Sequence, residues 1–301
     1  MTPLTVGQAL RVVAGRLETA GVAAPLADAS LLLGHVLCLG FGEVAAAAAL
    51  GRALTESQAA DLEELTRRRV ERVPLQHLTG VAGFRTLTLR VGPGVFVPRP
   101  ESEITAQWAI DLLGRRPRSA SAPVVVDLCT GSGAIALAVA TEVPEATVYA
   151  VEVSPQAREY AADNLARCPA GARVRLIAGD AREALPELAA LEGAVDVVTC
   201  NPPYIPPDGV PVDPEVRDHD PPLALYGGGP DGLELPVALA ARARRLLAPD
   251  GWLIMEHGDG QWPALSAALA GQGWAELADH PDLAGRSRVL TAREQGLPAP
   301  R

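Results

Sequence analysis

The sequence VVVDLCTGSGAIA, residues 124–136, decides the fold, because it is typical of a buried strand, a glycine turn and the start of a helix. Glycines let the backbone approach a ligand closely, and the first N–H groups of a helix are free to bind it. The Gly-x-Gly-x-x-Ala spacing alone also fits dinucleotide binding. Asp127, ahead of the first glycine, would repel a pyrophosphate and attract a cationic amino-acid group. The stretch therefore predicts an α/β domain with a ligand site at this turn.

Acidic residues stand at the ends of the next two predicted strands, 147–153 and 173–180. In a parallel sheet the C-terminal ends of the strands share one edge, and ligands bind there. Glu152, about 20 residues beyond the glycine turn, is placed to accept the two hydroxyls of a ribose. Asp180 is placed to accept an adenine amino group. Either carboxylate alone is more often a loop or cap residue, but with Asp127 they predict a site for a ribosylated purine that bears a positive charge.

The loop CNPPY, residues 200–204, directly follows a β-branched run that is typical of a fourth buried strand. Proline lacks the N–H that a strand needs, so the strand must end here and the loop must lie at the same edge of the sheet. The loop presents the amide of Asn201, the carbonyls of Pro202 and Pro203 and the ring of Tyr204, which suits a planar group with N–H donors. The alternative is a proline-rich turn with an asparagine cap and a packing tyrosine.

The first part of the chain, residues 1–75, is predicted to form a small helical domain. Two capping boxes, Thr5-x-x-Gln8 and Thr55-x-x-Gln58, and a helix-starting Pro25 each begin an amphipathic pattern. The arginines between 67 and 72 are interpreted as a solvated helix end that matches the helix dipole.

A linker, residues 76–104, is predicted to contain a β-hairpin whose turn is Gly92-Pro93-Gly94. It leads into Pro98-Arg99-Pro100-Glu101, interpreted either as a proline-capped helix start or as a lid edge over the ligand site. The catalytic domain is predicted to comprise residues 105–301, with a fifth strand near residue 252 and two final strands. Residues 205–230 are long for a connection, which indicates a functional flap or a flexible insertion.

Composition narrows the class of protein further. The net charge of −10 disfavours a lasting grip on a nucleic-acid backbone. The four cysteines have no paired spacing, so they are interpreted as reduced thiols, with neither disulfides nor a metal site. No apolar run reaches membrane-spanning length, and the first residues lack the features of a signal peptide. We expect a cytoplasmic protein with no membrane partner.

Several motifs together resemble a known family. DLCTGSG at 127–133, Glu152, Asp180 and NPPY at 201–204 resemble class I S-adenosylmethionine methyltransferases that act on planar nitrogens, among them adenine-N6 DNA and guanine-N2 RNA methyltransferases. Over nearly the whole chain, the sequence resembles the release factor glutamine-N5 methyltransferases, also called PrmC or HemK. The more specific matches are FVPRPESE at 96–103, EVR at 215–217, PLAL at 222–225, EHG at 256–258 and GRSR at 285–288.

This resemblance implies an α/β fold, a Rossmann-like seven-stranded sheet with a small N-terminal helical domain joined by a β-hairpin. It implies S-adenosyl-L-methionine as cofactor and bacterial class 1 peptide chain release factors as protein substrates, methylated on N5 of the glutamine in their Gly-Gly-Gln loop. The cofactor-binding residues would be Asp127, Thr130, Gly131, Gly133, Glu152, Asp180 and Asn201. The catalytic residues would be Asn201, Pro202 and Tyr204, and the substrate-binding residues Asn201, Pro202, Pro203, Tyr204, Arg99 and Glu101. Cys129 and Ser102 depart from the usual glycine and threonine.

An amide nitrogen is a poor nucleophile, because its lone pair is delocalised into the carbonyl. Asn201 and the Pro202 carbonyl are expected to accept its two hydrogens while Tyr204 packs against the amide plane. Alignment can supply about 7 kcal/mol or more, whereas one neutral hydrogen bond supplies about 1 kcal/mol, so positioning is expected to dominate. No separate general base is assigned. The N-terminal helices and the hairpin are expected to recognise the release factor, since one glutamine among many must be selected.

Three alternatives remain open from the sequence. A nucleic-acid base methyltransferase would stack a flipped base on Tyr204, although the acidic charge disfavours it. A non-catalytic adaptor would bind the cofactor and a partner protein without turnover, and a nicotinamide oxidoreductase would bind NAD instead. A methyl-transfer assay with the release factor and duplex DNA tests the first two, and binding of NAD without binding of S-adenosylmethionine would favour the third.

Overall fold

The computed structural model describes residues 4–116 and 121–296. The chain divides into two compact units. One unit, called the helical unit below, comprises Met1–Val81 with Pro211–His219, and the other, called the sheet unit, comprises Ala82–Val210 with Asp220–Arg301.

The helical unit consists of short amphipathic helices around one apolar core that includes Leu17, Leu32 and Leu33. Both predicted capping boxes are confirmed; in the first, Gln8 N–H donates to Thr5 Oγ1 at 3.3 Å and Thr5 N–H donates to Gln8 Oε1 at 2.9 Å. The third and fifth helices were not predicted, because an alanine run and a five-residue helix have little periodicity. The helices are α1 Val6–Thr19, α2 Pro25–Leu37, α3 Phe41–Ala49, α4 Glu56–Val70, α5 Leu75–Thr79 and, after the chain returns, α9 Pro214–His219.

The arginines at the end of α4 differ from the prediction of a solvated cluster. Arg69 is buried and lies between two carboxylates, with Nε 2.8 Å from Asp28 Oδ2 and Nη1 2.7 Å from Glu215 Oε1. Arg72 donates to both oxygens of Glu215, whereas Arg67 pairs with neighbours on its own helix at the surface. The prediction was wrong for Arg69 and Arg72 because their partners are far away along the chain.

The predicted β-hairpin is present, but its turn lies elsewhere. Two short strands, β1 Val81–Phe84 and β2 Leu87–Arg90, pair across Arg85 and Thr86, whereas residues 95–97 form no strand. Arg85 has a positive φ of 51°, which a non-glycine residue adopts only when other contacts hold it. Its N–H donates to Glu103 and its guanidinium donates to Glu142. Because apolar and polar residues alternate over most of residues 84–91, the sequence predicts one continuous strand there and no turn at Arg85.

The sheet unit contains the predicted Rossmann-like seven-stranded sheet, with strand order β5-β4-β3-β6-β7-β9-β8. Neighbours from β5 through β7 are parallel, whereas β9 runs antiparallel to both β7 and β8. Its strands are β3 Val124–Leu128, β4 Thr147–Glu152, β5 Val174–Ala178, β6 Val195–Cys200, β7 Leu247–Glu256, β8 Trp274–Pro281 and β9 Ser287–Glu294, and its helices are α6 Ser102–Gly114, α7 Ala134–Glu142, α8 Pro155–Arg167, α10 Glu234–Leu246 and α11 Trp262–Leu269.

Successive residues of the central strands point into two different apolar cores, as expected for side chains that alternate across a sheet. Val125 and Ile254 belong to one core, and Val126 and Leu253 belong to the other. Because both faces are covered, the strand ends are the part of the sheet where polar side chains can meet a ligand.

Candidate active site

The strand register brings four residues into a row along the C-terminal edge of the sheet. Leu128 pairs with both Val151 and Cys200, and Cys200 pairs with Met255. The residues that follow these positions are Cys129, Glu152, Asn201 and Glu256. The structure therefore brings together the glycine turn, Glu152 at the end of β4 and the loop at 201–204. It adds a carboxylate that was not predicted, that of Glu256.

The glycine turn lies between β3 and α7. Gly131 and Gly133 have φ values of 57° and 83°, which favour glycine. A Cβ built on Gly131 would have no atom within 4 Å, so the turn leaves open space there. Gly131 N–H donates to Glu152 Oε2 at 2.8 Å, which ties the turn to the end of β4.

Asp127 lies almost completely buried beneath this turn. Its two oxygens accept hydrogen bonds from Thr130 Oγ1 at 2.5 Å and Thr199 Oγ1 at 2.7 Å. Burial raises the pKa of Asp127 to about 6, although the hydrogen bonds from the two threonines lower it. Asp127 thus links β3, the glycine turn and β6, and its negative charge lies directly behind the turn.

Glu152 and Asp180 follow the next two strands, as predicted. Besides Gly131 N–H, Glu152 accepts a hydrogen bond from Ser154 N–H at 2.8 Å. The side chain of Arg182 lies against Asp180, and its Nε is 3.0 Å from each carboxylate oxygen. This hydrogen-bonded partner lowers the pKa of Asp180. Both carboxylates are therefore acceptors at the edge where the open glycine turn lies.

The loop at 201–204 is held by backbone hydrogen bonds to one segment and by a side-chain hydrogen bond to another. Tyr204 N–H and Ile205 N–H both donate to the carbonyl of Leu225, at 3.1 and 2.8 Å. Gln261 Nε2 donates to the carbonyl of Tyr204 at 2.8 Å, and the two prolines are buried. The loop is thus a rigid support for Asn201 and Tyr204.

Asn201 and Tyr204 both connect to the buried carboxylate of Glu256. Asn201 Nδ2 donates to Ser102 Oγ at 2.9 Å, and Ser102 Oγ donates to Glu256 Oε2 at 2.7 Å. Tyr204 OH lies 3.3 Å from Glu256 Oε1 and 3.5 Å from Nη1 of Arg288. Burial and the nearby Glu256 raise the pKa of the tyrosine hydroxyl, which keeps it a neutral donor.

Arg99 and Glu101 form ion pairs with other residues of the sheet unit. Arg99 Nη2 lies 2.6 Å from Asp220 Oδ2, and its guanidinium lies over the Phe96 ring at 5.1 Å from the centroid. Glu101 Oε1 accepts from Arg286 Nη2 at 2.8 Å. Both side chains hold the segment that begins α6.

Sequence reasoning assigns no role to Ser102, Thr199 or Glu256, although they complete the site. Glu256 ends a strand of the same sheet, as Glu152 does, so the rule that located the other carboxylates applies to it equally. Ser102 gives no such signal, because a serine at a helix start is ordinarily explained as part of the helix terminus.

The described ranges contain neither a metal-binding cluster nor a single membrane-spanning helix. Among residues 4–116 and 121–296, no group of three or more His, Cys, Asp or Glu side chains is arranged to hold a metal ion. No single helix there is long and apolar enough to cross a membrane; α2 and α3 meet the length and hydropathy criteria only as a pair, and they are bent by 89° relative to each other.

Comparison with known proteins agrees with this fold. Residues 8–80 match the family model of the PrmC N-terminal domain, and residues 125–211 match that of a methyltransferase domain. The solved hMettl16 catalytic domain, in complex with an RNA hairpin, is similar in fold, with a TM-score of 0.53 at 15% identity over 83% of this chain and 87% of that one. The fold and the site thus define a methyltransferase with a Rossmann-like sheet.

Curated relatives identify the family. The release factor glutamine methyltransferase of Streptomyces coelicolor is 47% identical over 93% of this chain and 94% of its own length. A 4-amino-L-phenylalanine/4-methylamino-L-phenylalanine methyltransferase of Streptomyces pristinaespiralis is 40% identical over 92% and 91%. Other relatives, from Bifidobacterium longum and Mycolicibacterium smegmatis, have the same name as the first. The chain belongs to the release factor glutamine methyltransferase family.

Proposed function

We propose that this enzyme transfers a methyl group from S-adenosyl-L-methionine to the side-chain N5 of the glutamine in the Gly-Gly-Gln loop of bacterial class 1 peptide chain release factors. The observation that supports it best is the orientation of Asn201. Its Nδ2 is engaged by Ser102, and no residue within the described part of the chain donates a hydrogen bond to its Oδ1. The site therefore has a fixed acceptor for an amide N–H, beside the open glycine turn.

The residues at the sheet edge fit the proposed cofactor. Glu152 and Asp180 are acceptors suited to ribose hydroxyls and an adenine amino group, and Asp127 places negative charge behind a turn with open space at Gly131. Thr130 and Gly133 shape the same turn. A pyrophosphate would face three carboxylates here, so a cationic nucleoside fits better. When bound, S-adenosyl-L-methionine supplies an electrophilic methyl group.

The protein's own residues orient the acceptor amide. Asn201 Oδ1 and the Pro202 carbonyl accept its two hydrogens, Pro203 keeps the loop rigid, and Tyr204 packs against the amide plane. Arg99 and Glu101 hold the adjoining segment and are proposed to border the substrate. No side chain needs to remove a proton first, because the methylated nitrogen releases one readily.

The test is transfer of labelled methyl from S-adenosyl-L-methionine to a purified release factor. Label on the factor, and none on a version with Ala in place of the loop glutamine, is the expected result. Duplex DNA tests the nucleic-acid alternative. Free 4-amino-L-phenylalanine tests a second acceptor class, an aromatic amine, which the 40% identical relative suggests. Label on either of these alone would contradict the proposal.

Glu152→Ala is expected to raise the Kd for S-adenosyl-L-methionine at least tenfold, because charge-assisted hydrogen bonds contribute about 1.5–3 kcal/mol. Titration calorimetry measures this directly. Glu159→Ala is the matched control, since Glu159 is an exposed carboxylate on α8. Equal affinity of the two variants would remove Glu152 from the cofactor site.

The helical unit is proposed to recognise the release factor. It contains residues 1–75, which the sequence predicts to form a separate domain. Phe41 and Leu50 are 62% and 85% exposed, so both apolar side chains are free to contact a partner protein. Phe41→Ser with Leu50→Ser is expected to lower kcat/KM for the whole factor by about tenfold, which corresponds to about 1.4 kcal/mol. The value for a short peptide with the Gly-Gly-Gln loop should not change. An equal loss on both substrates would contradict this role.

A further inference from the structure

The hydrogen bonds around Glu256 have a fixed direction. An ionised carboxylate only accepts hydrogen bonds. Ser102 has one hydroxyl hydrogen, and it lies between Ser102 Oγ and Glu256 Oε2, 2.7 Å apart. Ser102 Oγ must therefore accept from its other neighbour, the Asn201 side chain.

This direction determines which end of the Asn201 amide faces Ser102. The donor Nδ2 must point toward the serine, and the acceptor Oδ1 then points away from it. If Asn201 turned over, two oxygen acceptors would face each other, because the serine hydrogen is already used. The charge on Glu256 thus distinguishes two side-chain orientations that differ little in shape.

The same carboxylate also orients the aromatic end of the loop. Its second oxygen, Oε1, faces Tyr204 OH at 3.3 Å. The charged groups near Glu256 are Arg288, which favours its ionised form, and Glu101, which opposes it. Glu256 is 3% exposed, so water does not compete for these bonds.

We propose that Glu256 is a positioning residue, which sets the hydrogen-bond polarity of Asn201 through Ser102 and orients Tyr204 directly. The inference rests on the proposed function for its effect on turnover, because the acceptor oxygen of Asn201 is what an amide substrate requires. It concerns the ligand-free protein as well, since all these hydrogen bonds join side chains of the chain itself.

The protonation of Glu256 provides a readout that a purely structural residue lacks. Burial raises the pKa of Glu256 to about 6, although the Ser102 hydrogen bond and Arg288 lower it. Above this pH the carboxylate accepts from both Ser102 and Tyr204. As the pH falls through 6, the carboxyl gains a proton and must donate it through one oxygen, so the hydrogen bond to Ser102 or to Tyr204 reverses its direction.

Substitutions at two hydroxyls of α6 test the relay. Ser102→Ala is expected to lower kcat by about 30-fold, with the Kd for S-adenosyl-L-methionine within twofold. Ser102→Thr keeps the hydroxyl and should retain kcat within about threefold. Thr105→Val is the matched control, because Thr105 Oγ1 is buried and has no hydrogen-bond partner in the described chain. Equal kcat for Ser102→Ala and Thr105→Val would overturn the proposal.

The pH profile tests Glu256 itself. At saturating cofactor and release factor, kcat of the wild type is expected to fall below pH 6. Glu256→Gln cannot titrate at this position, so it should have a lower kcat and a smaller fall below pH 6, to which Asp127 still contributes. An unchanged acid limb in Glu256→Gln would overturn the proposal.

Nuclear magnetic resonance of the ligand-free protein separates this inference from the proposed function. The Asn201 side-chain amide signal, assigned by its loss in Asn201→Ala, should shift with a midpoint near 6 in the wild type, and the shift should be much smaller in Glu256→Gln, in which Asp127 still titrates. An equal shift in both proteins, or no shift in either, would refute the relay. Absent methylation of the release factor, with this titration present, would refute only the proposed function.

Discussion

Asn201→Ala is expected to lower methyl transfer to the release factor at least a thousandfold, a loss of about 4 kcal/mol in transition-state stabilisation. Removing a neutral hydrogen bond costs only about 1 kcal/mol, so most of the loss comes from misalignment of the acceptor amide. A side-chain relay, through Ser102 to Glu256, fixes the direction in which the acceptor oxygen of Asn201 points. Single-turnover measurement with saturating cofactor isolates this step.

Binding of S-adenosyl-L-methionine should change little in Asn201→Ala, because the glycine turn, Glu152 and Asp180 are intact. Titration calorimetry is expected to give a Kd within about threefold of the wild type. Thr105→Val, which removes a buried hydroxyl that makes no hydrogen bond within the described ranges, controls for a general loss of packing. Turnover of Asn201→Ala at the wild-type rate would contradict the mechanism, and a large loss of cofactor affinity would show that the main role of Asn201, which is also predicted to contact the cofactor, is to bind it.

The sheet and its ligand edge could be predicted from sequence because they depend on local signals. Runs such as 124–128 and 195–200 are β-branched and apolar, and each ends at a glycine turn or a proline pair, so strand and strand end are both marked. Parallel connection then places all these ends on one edge. Helix starts with a capping box, at Thr5 and Thr55, were equally clear.

Features held by distant side chains could not be predicted. The turn at Arg85 has a positive φ that Glu103 and Glu142 stabilise, and neither residue is near it in sequence. The roles of Ser102 and Glu256 depend on the contact between the start of α6 and the end of β7, which are far apart in sequence. In each case the local sequence favours a simpler interpretation, a longer strand or a helix cap, and tertiary contacts decide otherwise.

Arg69→Met is expected to lower the free energy of unfolding of the helical unit by about 3 kcal/mol at neutral pH, because removing one member of a buried ion pair leaves the other charges uncompensated. Methionine keeps the apolar stem of arginine but not its charge. Asp28 and Glu215 have side chains only 12% and 13% exposed, and Glu215 would keep Arg72 alone. Urea denaturation followed by far-ultraviolet circular dichroism measures this loss.

Circular dichroism is used here because tryptophan fluorescence does not report on the helical unit. All four tryptophans, at 108, 252, 262 and 274, lie outside the helical unit, so their fluorescence reports the sheet unit. Arg67→Met is the matched control on the same helix, since Arg67 is 52% exposed and surface ion pairs contribute at most about 1 kcal/mol. Equal losses in both variants would show that the burial of Arg69 does not matter.

The pH dependence of the Arg69→Met effect gives a further check on its cause. Burial alone would raise the pKa of Glu215, but hydrogen bonds from Arg72 and Arg69 outweigh it and lower that pKa from 4.5 to about 2. A lowered folded-state pKa stabilises the protein fully above the unfolded value, and this contribution is lost as the pH falls from 4.5 toward 2. The difference between wild type and Arg69→Met should therefore be largest at neutral pH and shrink over that acid range, whereas a loss due only to packing would be the same at every pH.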